Sequence, residues 1–345
     1  MRLRREDIRR WAPWTGKLLL AIALIALLMN SIQSDAIASV LLLADPVFIA
    51  VALLLLPLNL FFQFHKWRVL VHSRIPLATR RELRASLLLG FTFGIVTPAR
   101  LGEFGGRAAG IRTRSAPSNT VADPGSEGAR PPVADKLALI GLTAIDKLAT
   151  MVITLIAGCC ALLLFCWRHP FMDPLLLTAL LSLAGAVVLG IMYRWNARHV
   201  HAEPADEDSP AAEKGYLRRR VDDVRALLRD LEPPVLRHLF VFSMLFYATF
   251  LLQFFFLLSA FGPVDALSAF AGIGTVMLVK TVIPPVTIGE LGIREGTSVY
   301  VLGHAGILAA AAFNASLLLF AINVFLPSLV GLALLLRLPG REAAR

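Results

Sequence analysis

The chain has 345 residues, 57% of them hydrophobic and 17% charged, with a mean hydropathy of +0.70, which excludes an ordinary soluble domain. Its net charge of +10 does not point to nucleic acid, because Lys and Arg lie in loops between long apolar runs and no nucleic-acid-binding motif is present. The composition predicts an all-α, polytopic helical membrane protein.

Residues 1–17 carry six basic residues ahead of the apolar run 18–29 and a polar stretch at 30–35. That run, followed by Ala36, Ile37 and Ala38, reads either as a signal peptide or as a retained first helix, and the spans that follow favour the helix. Run 47–64 leads back to the cytoplasm and ends in His65, Lys66, Trp67 and Arg68, expected as an aromatic and basic anchor at headgroup level. Six basic residues between 66 and 84 mark the inside.

The next run, 85–96, has 12 residues, roughly 18 Å as helix against a hydrocarbon core of ~30 Å. It leads into PARLGEFGGR at 98–107. After a second short run, 266–279, this pattern returns at an offset of 187 residues as PVTIGELGIR at 285–294. Identical between the copies are Pro98 and Pro285, Gly102 and Gly289, Glu103 and Glu290, Gly105 and Gly292, and Arg107 and Arg294. Short apolar segments interrupted by Pro and Gly at matching places in two halves point to a transporter's substrate site.

Residues 113–134, with four prolines and two glycines, read as a flexible cytoplasmic insertion. Run 137–166 is a span containing the neighbours Asp146 and Lys147, which point about 100° apart and so are not expected to pair with each other. Cys159, Cys160 and Cys166 lie in this run as packing residues. Run 175–193 returns inward. The loop 194–238 holds nine basic residues and an amphipathic helix with Leu217, Val221, Val224, Leu228 and Leu231 on one face, stopped by Pro233 and Pro234. That helix lies on the anionic inner leaflet or forms a solvated connector. Run 239–261 leads outward, and 317–336 leads inward to a tail with Arg337, Arg341 and Arg345.

This charge placement makes both short segments re-entrant hairpins entered from opposite faces, an inverted-topology repeat. The organisation is one membrane domain: a first half at 1–112, the insertion 113–134, connecting helices at 135–193, the loop 194–238, and a second half at 239–345. Charges cost about 2.5 to 3.5 kcal/mol at the bilayer centre, so Arg100, Glu103, Arg107, Lys280, Glu290, Arg294 and Glu295 should face protein or water as candidate substrate-binding residues. Pro98, Gly102, Gly105, Pro285, Gly289 and Gly292 would shape the hairpins. In each motif Glu and Arg are four apart, on one helical face. Arg107 and Arg294 would meet an anionic headgroup in a polar cavity between the hairpins, and Glu103 and Glu290 would balance charge, accept a cationic group or carry protons. Alternatively, each Glu and Arg neutralise one another and pin the hairpin. Lys280 and Asp146 rank below these, since charges near helix ends snorkel to the interface. Asn314, Asn323, Gln253 and Pro327 read as interhelical glue and a kink. No catalytic motif, metal site or cofactor site is legible.

At these residues the chain resembles the lysylphosphatidylglycerol synthase transmembrane-region family, flippase-like integral membrane proteins. The resemblance rests on Trp67 and Arg68, on the T-P-x-R-x-G-E stretch at 97–103, and on the P-x-x-x-G-E-x-G-x-R-E stretch at 285–295. It implies that the region moves lipids between leaflets. In the family's best-known members a separate soluble C-terminal domain transfers the aminoacyl group, and with nine residues after Leu336 no such domain is expected here. Where the family has an Arg and a downstream Asp after the first motif, this chain has AIDK at 144–147. The expected function is translocation of a phospholipid or polyprenyl-phosphate-linked intermediate across a bacterial-type inner membrane, with cytoplasmic termini. The rivals are a headgroup-modifying membrane enzyme and a non-transporting partner of a lipid-synthesis enzyme. A homo-oligomer is compatible with all three.

Overall fold

The computed structural model describes residues 39–97, 100–111, 132–169, 226–283 and 292–337. Outside them lie the first apolar run, nearly all of the insertion, the 175–193 span, most of the amphipathic helix, and Pro98, Pro285, Gly289 and Glu290.

Every described element is a helix. In order they are α1 (Pro46–His72), α2 (Arg80–Ile95), α3 (Gly102–Ala109), α4 (Pro132–Arg168), α5 (Pro233–Ser259), α6 (Ala266–Val282), α7 (Ile293–His304), α8 (Ala309–Phe320), a π-helical turn (Ala321–Phe325) and α9 (Leu326–Arg337). Among the described residues four helical stretches are long and apolar enough to cross a membrane: α1, α4, α5 and the continuous run Ala309–Arg337. Large apolar side chains such as Leu54, Ile156, Phe240 and Val330 lie exposed on them, as lipid-facing surfaces require.

The elements repeat with the same offset as the motifs. α5 begins and ends 187 residues after α1, and both have 27 residues. Likewise α6 falls one offset after α2, and α9 corresponds to residues 139–150 of α4.

Local signals explain the boundaries. Asp45 caps α1 by accepting the Val47 N–H at 2.8 Å. Thr79 and Glu82 form a capping box that starts α2 at Arg80, before the apolar run. Pro233 and Pro234, which end the preceding helix in the sequence reading, also occupy the first turn of α5, where their missing N–H groups cost nothing. α1 extends to His72, past the apolar run that ends at 64.

α1 and α5 run antiparallel. Phe48 stacks on Phe256 at 6.3 Å, Gln253 donates to the Ala52 carbonyl at 3.0 Å, and Lys66 lies 5.2 Å over the Phe246 ring. α2 and α3 form a tight antiparallel pair. Gly102, Gly106 and Gly110 face α2 at a spacing of four, and a Cβ on Gly106 would stand 2.5 Å from the Leu89 carbonyl oxygen.

Each such pair leans on a helix from the other half of the chain. α2 packs against α9, where Thr92 donates to the Ser328 carbonyl at 3.0 Å and Ser328 donates to the Phe91 carbonyl at 3.1 Å. α6 packs against α4, where the close fit of Gly274 to Ala161 leaves no room for a Cβ. The π-turn relieves the helical ladder just before Pro327. Gln253 and Asn59, both buried, bond across α1 and α5 at 3.3 Å, whereas Asn323 donates within its own helix to the Leu319 carbonyl.

The described end of the amphipathic segment packs on protein. Leu231 is buried, and Leu227 and Leu228 cover a cluster built from Trp67, Leu70 and Leu139. The three cysteines are free thiols; Cys160 is exposed and the other two are half-buried, so packing accounts for them only in part.

Candidate functional site

The first motif sits at the meeting point of α1, α3 and α4. Glu103 and Arg107 share a face of α3 one turn apart, and Arg107 Nη2 donates to Glu103 Oε1 at 2.7 Å. Their partners come from α4, where the divergence of Asp146 and Lys147 lets the two residues straddle α3. Asp146 Oδ2 accepts from Arg107 Nη1 at 2.8 Å, and Lys147 Nζ donates to Glu103 Oε2 at 2.6 Å. From α1, Lys66 Nζ stands 2.9 Å from Asp146 Oδ1 and donates to Thr150 at 2.8 Å. Arg100, in the turn before α3, lies 3.3 Å from Glu103 Oε2.

The surroundings of this network are built for it. Glu103, Arg107 and Asp146 are each 2% exposed. The Arg107 guanidinium lies 4.8 Å over the Trp67 ring, and Trp67 Nε1 donates to Ser86, which donates to the Arg107 carbonyl. Gly90 leaves room for the Arg107 stem; a Cβ there would come within 2.8 Å of its Cγ. In the turn, Thr97 Oγ1 accepts the Gly102 N–H at 2.7 Å, and Arg100 adopts a φ of 54°, an uncommon conformation for a side-chain-bearing residue.

The second motif is closed differently. Arg294 donates to Glu295 at 2.6 Å and to Ser316 at 2.9 Å, beneath the Phe320 ring. Glu295 also accepts the Gly292 N–H at 2.7 Å, and Gly292 starts α7 with a φ of 92° that only glycine adopts easily. The offset of 187 explains the difference: Lys66 corresponds to Gln253 and Asp146 to Ala333, so Arg294 lacks both members of that ion pair. Glu295, which corresponds to Ala108, supplies the replacement. Lys280 is half-buried near the end of α6.

Several sequence expectations change here. Lys66 and Trp67 are not a headgroup anchor: they are 3% and 0% exposed, because Lys66 finds a carboxylate inside the protein. Arg107 has both terminal nitrogens on carboxylates and so presents no free guanidinium end to a headgroup, and Arg294 is held through Nη2 by Glu295 and through Nε by Ser316. Glu290, the expected partner of Arg294, lies outside the described residues. Among the repeated glycines Gly105 meets nothing within 4 Å, and Gly106, which is not repeated, makes the close contact. Among the described residues no ion pair joins Arg100, Glu103 or Arg107 to Arg294 or Glu295. A cleft of about 270 Å³ lined by Phe261, Asp265, Ser268, Ala305 and Leu308 contains no motif residue. No group of three or more His, Cys, Asp or Glu able to hold a metal occurs among the described residues.

Sequence reasoning missed Lys66 and Lys147 and ranked Asp146 too low. A signal existed in the adjacent Asp and Lys inside an apolar run, where each must find a partner on a different neighbour.

Membrane-length apolar helices wrapped around a buried ion cluster define a multi-pass membrane protein. The family model for the lysylphosphatidylglycerol synthase TM region matches residues 14–331, and the chain belongs to this family. Membership relates it to lipid handling. No match was found among curated proteins or solved structures.

Proposed function

We propose that the protein is a translocator of phospholipids or lipid-linked intermediates in a bacterial-type inner membrane, acting without lipid chemistry of its own and with both termini in the cytoplasm. The observation that carries this reading is the cluster of Lys66, Asp146, Arg107, Glu103 and Lys147. Its charges are costly in an apolar helical protein, and they are drawn from three helices around one repeated motif. α2 and α6, of 16 and 17 residues, are roughly 24 to 26 Å long and fall short of a ~30 Å core, which supports hairpins that enter and leave on one face. The antiparallel run of the repeat-equivalent α1 and α5 supports an inverted relation between the halves.

Purified protein in liposomes, given labelled phospholipids, aminoacylated lipids and polyprenyl-phosphate sugars, should move at least one class faster than empty liposomes, with loss in Glu103→Gln. Conversion of a lipid to a new headgroup would replace this reading with enzymatic chemistry. Full cellular function after neutralising Glu103 and Arg107 together would favour a non-transporting partner of a lipid-synthesis enzyme.

A further inference from the structure

We propose that Lys147 and Arg100 form the mouth of a site for a phosphate-type anion, and that this site makes the protein prefer net-anionic lipid headgroups over zwitterionic ones. The lipid part of the inference rests on the translocator reading; the anion site itself does not.

The first observation is charge. Around the two carboxylates, Glu103 and Asp146, stand four cations, Lys66, Arg100, Arg107 and Lys147, so the described cluster carries a surplus of two positive charges. A local surplus of positive charge at the edge of an apolar protein attracts an anion.

The second is where the surplus sits. The side chains of Lys66 and Arg107 are 4% and 3% exposed, with the Lys66 ammonium and both terminal nitrogens of Arg107 against carboxylates, whereas that of Lys147 is 42% exposed and that of Arg100 is 17% exposed. Lys147 uses one of its three donors on Glu103, while Arg100 makes one long contact at 3.3 Å and keeps a buried Nε with no hydrogen-bond partner. Both reach the same oxygen, Glu103 Oε2, at 2.6 Å and 3.3 Å, so their charged ends lie within about 6 Å of each other, a span that two oxygens of one phosphate can bridge.

The third is what the site lacks. Each of the four carboxylate oxygens has a cation within 2.9 Å and both side chains are only 3% exposed, so neither carboxylate is open to the ammonium group of a zwitterionic or aminoacylated headgroup. A phosphodiester with an uncharged remainder suits the site, and a headgroup that brings its own cation does not.

The test uses the full-length protein in nanodiscs and measures binding of fluorescent phosphatidylglycerol and phosphatidylethanolamine, with inorganic phosphate as competitor. Phosphatidylglycerol should bind about tenfold more tightly, and Lys147→Gln should remove about that factor while leaving phosphatidylethanolamine unchanged. Lys147→Arg should keep the preference, and Arg100→Gln should reproduce the loss if Lys147→Gln does not fold. Arg168→Gln, which breaks a pair with Asp265 far along α4, should change nothing. Displacement by inorganic phosphate supports the site and assigns recognition to the phosphate alone. Retention against phosphate, with the preference intact, supports the site and assigns recognition to the whole headgroup. Equal affinity of the wild type for both lipids, or unchanged phosphatidylglycerol affinity in a folded Lys147→Gln protein, overturns it. Transport is scored separately. A preference without transport leaves the site and removes the translocator; transport without a preference does the reverse.

Discussion

Without the carboxylate charge of Asp146, Lys66 and Arg107 would face each other, both buried, with no anion between them. Asp146→Asn should therefore destabilise the protein by about 3 to 5 kcal/mol, read from unfolding in mixed micelles. Adding Lys66→Met should recover part of the loss, because the double variant no longer buries an unpaired ammonium; a cycle in which the two losses simply add would contradict the coupling. Gly292 gives a second test. At a φ of 92° a Cβ is strained whatever the space, so Gly292→Ala should cost at least about 1 kcal/mol by the same assay. At this scale the sequence was half legible. The divergence of Asp146 and Lys147 followed from helix geometry, and their exclusion from lipid followed from electrostatics. Their partners did not follow, because Lys66 sits among aromatic and basic residues that look like an interface anchor, and only tertiary packing turns it inward.

Among the elements, the α2–α3 pair depends on close backbone approach, and two adjacent glycines separate that effect from helix propensity. Gly106→Ala places a Cβ 2.5 Å from a carbonyl oxygen and should cost about 1 to 3 kcal/mol, whereas Gly105→Ala meets open space and should be neutral or stabilising by up to ~1 kcal/mol. Equal effects at the two positions, measured by unfolding in micelles, would contradict the packing. The start of α6 is governed by Asp265, whose carboxyl is held below its usual range mainly by the Ser268 backbone N–H, at 2.9 Å. A depressed folded value means that the cap is complete above the ordinary carboxylate range and is lost as pH falls through the lowered value. Hydrogen exchange in the first turn of α6, corrected for intrinsic rates, should therefore accelerate as pH falls below the ordinary carboxylate value of about 3.9 in the wild type and be fast already at neutral pH in Asp265→Ala. The sequence located α2 and α6 by their short apolar runs. It misjudged the ends of α1 and α2 because polar residues at His65 to Arg68 and at Arg80 to Arg84 join the helices through packing and capping, which hydropathy does not register.

For the whole molecule the main result is reciprocity. α2 of the first half is held by α9 of the second, and α6 of the second is held by α4, so neither half completes its packing alone. Fragments 1–200 and 201–345, which separate α4 from α6 as well as α2 from α9, should therefore co-purify when co-expressed; Gly331→Leu, which drives a side chain into Thr92 and the Leu88 carbonyl, should weaken their association. Independent purification of each fragment as a folded unit would contradict this. The motif offset made the repeat visible in the sequence, and the matching bounds of α1 and α5 carry it to the level of elements. Its asymmetry was not visible, because the exchange of Lys66 and Asp146 for Gln253 and Ala333 becomes meaningful only once those positions are seen around the motif arginines.

The bond from Thr92 to Ser328 spans 236 residues, and it bears on how the protein is made. When a ribosome delivers α2 to the membrane, the α9 surface that will hold it has not yet been translated. α2 must wait, with its matching face unseated, for the whole interval of synthesis up to α9. A nascent chain stalled in that interval already has partners for Arg107 and Glu103 on α1 and α4, but it leaves the Thr92 face of α2 uncovered and open to the insertion machinery and to membrane proteases.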